Sequence, residues 1–161
     1  MRAYARTLAY KNANFMYNFP MSDFHFYYPL QVRYGDLDPQ GHVNNAHFVT
    51  FIEQARFAYM LELGLFDGEH FSDLGLIVAD VHVAYLAPIL LTHKIRIGVR
   101  VGRIGVKSLT FEYQVEEEGG AAALLARAET VMVAYDYPTH TSQPVSDAWR
   151  DKILHYENRE S

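Results

Sequence analysis

The sequence has no cysteine among its 161 residues. Disulfides, a thiolate nucleophile and cysteine-ligated zinc or iron–sulfur centres are therefore excluded. A basic excess is also missing. Fourteen Lys and Arg stand against 19 Asp and Glu, a formal net charge of -5, which argues against a general binder of nucleic-acid phosphates. No apolar run approaches the roughly 20 residues that cross a bilayer, and no basic start leads into an apolar signal core. The expectation is a cytoplasmic protein with no membrane span and no nucleic-acid partner. No histidines pair at metal-ligand spacing, so no metal site is expected.

What is present is the composition of a folded domain. Half of the residues are hydrophobic and 14% aromatic, enough to give one domain a core of its own. Residues 1–20 hold Arg2, Arg6 and Lys11, no acidic residue and no readable period. We read residues 1–21 as a non-essential N-terminal extension, with Met21 as the functional start.

From Tyr28 onward, Leu30, Val32 and Tyr34 share one face of a strand, with Pro29 tolerable near its beginning. A turn crowded with Asp36, Asp38, His42, Asn44 and Asn45 follows. Residues 46–63 then run without Pro or Gly between Asn45, a good cap residue, and Gly64, a helix terminator. They predict a helix of about five turns, apolar nearly all round and so buried. Further strands are expected over residues 76–86, 94–103, 108–116 and 122–137, the last two joined by a hairpin at Glu118-Gly119-Gly120. A C-terminal helix over 145–156 has Trp149, Ile153 and Leu154 as anchors. The fold class is α+β: a curved five-stranded antiparallel sheet, apolar on one face, wrapped around one long central helix.

That arrangement and the wording of the turn resemble the hotdog-fold acyl-CoA thioesterases of the 4-hydroxybenzoyl-CoA thioesterase and YbgC-like type. The matching residues are Tyr34, Gly35, Asp36, Asp38, Pro39, Gly41, His42, Val43, Asn44 and Asn45, with Glu53, Ala55 and Arg56 on the helix. The resemblance implies a hotdog thioesterase domain over residues 22–140, followed by a C-terminal helix and tail over 141–161. It implies Asp38 as the catalytic carboxylate and Asp36 as structural. Similar acyl-carrier-protein thioesterases use a histidine four residues after the aspartate, where His42 stands. YbgC-like proteins use one seven residues after it, where this chain has Asn45. A backbone N–H near Asn45 is implied as the group that polarises the thioester carbonyl. Tyr34, Asn44 and Glu53 are expected as substrate-binding residues, and coenzyme A belongs to the substrate, so no cofactor is expected.

The chemistry stands beside the family. Thioester hydrolysis needs a base or nucleophile and donors for the oxyanion, and a carboxylate at a helix start supplies both, because the first N–H groups of a helix lack internal partners. Each residue also has a plainer reading. Asp38 can hold local N–H groups of the turn, His42 can brace it, and Asn44 and Asn45 can serve as cap and turn bond. Glu53 can pair with Arg56 one turn along; resemblance to a related subgroup of hotdog thioesterases, which take their catalytic carboxylate from this helix, also implies Glu53 as a reserve candidate. His82 reads as a satisfied sheet histidine. Arg100, Arg103, Lys107 and Ser108 can meet the phosphates of coenzyme A or stand as solvated strand-end residues.

The reading is an acyl-CoA thioesterase with acyl-CoA as its partner. Its rivals are a hydratase or dehydratase acting on acyl thioesters and a non-catalytic acyl-thioester binding module. The strand over 76–86, apolar on both faces, is the expected sheet edge, and an open edge predicts a homodimer or homotetramer.

Overall fold

The computed structural model describes residues 24–70, 74–119 and 123–158, so the extension expected over residues 1–21 lies outside it. Six antiparallel strands form one sheet: β1 (Phe26–Gln31), β2 (Leu76–Tyr85), β3 (Lys94–Ile104), β4 (Ser108–Glu117), β5 (Leu124–Asp136) and the short β6 (Thr141–Ser142). The order across the sheet is β1-β3-β4-β5-β2, with β6 on β5. Among the described residues there are two α-helices, α1 (Asn45–Glu62) and α2 (Asp147–Tyr156). Pro29 sits in edge strand β1, where only β3 is its neighbour and the missing N–H is tolerated.

The alternation read in β3 and β4 sorts as expected. Ile95, Ile97, Val99, Val101, Leu109, Phe111, Tyr113 and Val115 are buried in the face under α1. On the opposite face Arg96 meets Glu116 at 2.8 Å and Arg100 meets Glu112 at 2.7 Å. Gly102 is required there, because a Cβ would collide with the Glu112 carboxylate.

Four expectations need correction. The sheet has a sixth strand, two residues long and too short to show a period. One helix does not cover the sheet alone: α2 shares the task, burying Ile153 completely. Nor is α1 buried all round, since Val49 and Leu61 on its outer side are 38% and 42% exposed. In β2, a bulge between Val78 and Asp80 shifts the register, so Leu76 and Val78 share the inner face with Val81, Val83 and Tyr85. Strict alternation along the strand would put the two groups on opposite faces.

Tyr59 ties the layers together. Its fully buried ring lies edge-on to Phe26, Phe111 and Tyr156. Its hydroxyl donates to Glu157 Oε1 at 2.6 Å, and the same oxygen accepts the Val101 N–H at 3.3 Å, beside a register shift in β3. Burial and the neighbouring Glu157 charge push the Tyr59 hydroxyl far above its ordinary pKa. Glu157→Ala leaves the buried Tyr59 hydroxyl without this acceptor and should cost roughly 1–3 kcal/mol. Denaturant titration checks this, and an unchanged midpoint would mean that the end of α2 does not hold the core.

Candidate active site

The site begins where β1 runs into a 3-10 turn at Tyr34–Asp36. Asp36, 1% exposed, accepts from the Arg33 N–H at 2.8 Å, Nε at 3.3 Å and Nη2 at 3.0 Å, with His47 Nδ1 at 3.6 Å. Burial alone would raise its pKa, but the Arg33 hydrogen bonds and charge, aided by His47, outweigh it and hold the carboxyl below the ordinary range. The Asp36 carbonyl takes the Asn44 N–H at 2.9 Å, so strand exit and helix entry are joined through this residue. Asp36→Asn should therefore destabilise the fold, by about 1–3 kcal/mol. Because the folded pKa is lowered, the contribution is present above the unfolded carboxyl pKa and lost as pH falls through the folded value. Acid unfolding curves of the two proteins should converge at low pH, and curves that stay equally spaced would contradict the assignment.

Asp38 closes the next loop on itself. Its N–H donates to the His42 carbonyl at 2.8 Å, its carbonyl accepts from Gly41 at 2.9 Å, and Oδ1 accepts from Gln40 N–H at 2.9 Å and His42 N–H at 3.1 Å. Gly41 adopts φ 78°, a conformation that the turn requires and glycine adopts freely. Oδ2 has no hydrogen-bond partner among the described residues. Asp38 lines a cavity of about 390 Å³ together with His42, Asn44, Asn45, Phe48 and Tyr85. Phe48 and Tyr85 meet edge-on at 5.1 Å in its wall.

The cap of α1 is Asn44 rather than Asn45. Its side chain accepts the Ala46 N–H at 2.9 Å, which leaves Asn45 as the first helical residue. The Asn45 N–H has no acceptor among the described residues and stands at the positive end of the helix dipole. Asp38, with one carboxylate oxygen unpartnered, and Asn45, the first residue of α1, thus line one cavity, and a carboxylate with a helix-start donor is the combination that attack on a carbonyl and stabilisation of its oxyanion require.

A second cavity, a groove of about 660 Å³, runs between α1 and β2, past Thr50, Glu53, Arg56, Met60, Leu76 and Met132. Of the residues read from sequence, Asp38, His42, Asn44 and Asn45 come together in the first cavity and Glu53 in the second. Tyr34 is 83% exposed and lines neither. Arg103, Lys107 and Ser108 lie at the β3–β4 hairpin, where Lys107 Nζ donates to the Ser142 carbonyl at 2.9 Å. Strand register puts Ser108 opposite Val133, beside the Leu76 end of β2, roughly 30 Å from the Tyr85 end at about 3.3 Å per residue. His82, read as a satisfied sheet histidine, stands on β2 with its ring half-exposed and paired with Asp80 at 2.7 Å. Tyr85 and Arg56 were missed as cavity residues, because nothing in a strand end or a helical ion pair marks a wall. Among the described residues, no group of three or more His, Cys, Asp and Glu could hold a metal ion, and no helix is long and apolar enough to cross a membrane.

Residues 32–153 match the model of the thioesterase-like superfamily. The chain is 34% identical to a thioesterase of Thermus thermophilus whose crystal structure holds coenzyme A and zinc, with a TM-score of 0.75, covering 87% of this chain and 100% of that one. It is 25% identical over 126 residues to the long-chain acyl-CoA thioesterase FadM of Escherichia coli, covering 77% of this chain and 93% of FadM. It is 26% identical over 127 residues to the 1,4-dihydroxy-2-naphthoyl-CoA hydrolase of Thermosynechococcus vestitus, covering 76% and 86%.

Proposed function

This chain belongs to the thioesterase-like superfamily and is a thioester hydrolase, and from that premise we propose that it hydrolyses acyl-CoA to free acid and coenzyme A at Asp38. The observation that carries the reading is the unequal Asp38 carboxylate, one oxygen held by the loop and the other without a partner among the described residues, in a residue that lines the cavity at the start of α1.

As a base, Oδ2 takes a proton from water while the water oxygen bonds to the thioester carbon. The carbonyl oxygen gains charge and accepts from the Asn45 N–H. When the C–S bond breaks, the thiolate leaves with little acid assistance, since a thiol pKa lies near 8.5, and the proton on Asp38 neutralises it. As a nucleophile, the same oxygen would form a mixed anhydride that water then opens. His42 lines the cavity beside the attacking group.

The working unit is a homodimer or a homotetramer built from it, with the sheet curled around α1 in the hotdog manner. β2 is an edge strand of ten residues, and its Val78 and Tyr85 are 48% and 47% exposed. Pairing β2 with its own copy about a two-fold axis makes one continuous sheet and covers that surface. The same axis brings the Tyr85 end of one chain against the Leu76 end of the other, so the Asp38 cavity opens onto the partner's groove. The partner's hairpin, with Arg103, Lys107 and Ser108, then comes within reach of the coenzyme A phosphates. Thiol release from short, medium, long and aromatic acyl-CoAs tests the reading. Binding without release from any of them would favour a non-catalytic module.

A further inference from the structure

The groove between α1 and β2 is apolar along most of its length, with Phe57, Met60, Leu76 and Met132 in its walls. Arg56 interrupts it. The side chain is only 7% exposed and donates one N–H, from Nη1 to the Tyr113 hydroxyl at 3.2 Å. A guanidinium carries five N–H donors, and an acyl group that displaces water from this groove must offer those facing it an acceptor or leave charged donors unpaired. The nearest carboxylate oxygen, Glu53 Oε1 at the groove's rim, stands 3.7 Å from Nη2, beyond hydrogen-bond length. Two atoms 3.7 Å apart can both lie about 2.8 Å from a single oxygen placed between them. That oxygen must accept on one side and donate on the other. A hydroxyl does both, a saturated chain does neither, and a carboxylate would be repelled by Glu53.

We propose that this groove selects acyl groups that carry a hydroxyl, which accepts from the Arg56 guanidinium and donates to the Glu53 carboxylate. The inference rests on the reading of the groove as the seat of the acyl group. Sites built to bond a hydroxyl reject the analogue lacking it by up to about 100,000-fold. With Glu53 exposed at the rim, the discrimination here is put at roughly 10- to 100-fold.

The test compares straight-chain acyl-CoAs with counterparts hydroxylated once, the hydroxyl moved along the chain. At one position the wild-type kcat/KM should exceed that for the unsubstituted chain by the stated factor. In Arg56→Met the ratio should fall to near one. Because Arg56→Met also loses the Tyr113 bond and can fail to fold, Glu53→Ala, at an exposed position, is the second variant, and its ratio should fall several-fold. Equal wild-type rates at every hydroxyl position, or a ratio unchanged in both folded variants, would overturn the proposal. Should no thioester be turned over, the proposed reaction fails but the selection is still read, as the ratio of wild-type binding constants for non-hydrolysable thioether analogues with and without the hydroxyl.

Discussion

Asp38→Asn should lower thioester turnover by about 100- to 10,000-fold, the usual contribution of a positioned general base, with little change in melting temperature. The amide oxygen that replaces Oδ1 can still accept from the Gln40 and His42 N–H groups, so the loop keeps its shape. What is lost is the oxygen that holds no partner, exchanged for an NH₂ that can neither take a proton nor attack a carbonyl. Asp36→Asn is the control with the opposite signature, because Asp36 spends its oxygens on Arg33. Its loss should appear in stability first and in rate only through the fold. Equal loss of activity in the two variants, each with unchanged melting, would mean that the roles within the pair are wrongly divided.

Much of the Asp38 turn and the helix after it was legible in sequence because it is local. The turn, its two aspartates and the helix that follows are contiguous in the chain, and short-range hydrogen bonds fix them: Asp38 to Gln40 and His42, Asn44 to Ala46. Even the displaced cap is an error of one residue within that local logic. The features that escaped depend on contacts between distant segments. Ala79 has the same chemistry whether or not a bulge sits there, yet the bulge decides which face of β2 Leu76 and Val78 occupy. Glu157 reads as a surface residue of a charged tail until Tyr59 and Val101, 98 and 56 residues away, are seen to share it. Arg56 was legible as a helical ion pair with Glu53. Only packing against β4 and β5 shows that its guanidinium is buried beside Tyr113 in a groove.

The second large effect concerns the sharing of the site. A chain with Asp38→Asn lacks the attacking oxygen but keeps its groove. A chain with Thr50→Trp keeps Asp38, but a bulky ring from an exposed position on α1 fills its groove. If the proposed dimer forms, each variant alone should be nearly inactive, because every shared site contains one defective half. In an equimolar mixture half of the dimers pair one chain of each kind. One of the two sites in such a dimer then combines the intact Asp38 turn with the intact groove, so about a quarter of wild-type activity should return. The steady-state rate of that re-equilibrated mixture, set against each variant alone, tests directly whether an Asp38 turn and a partner's groove make one active site. Recovery near a quarter is the predicted result, and a mixture no more active than the mean of its two parents would contradict it.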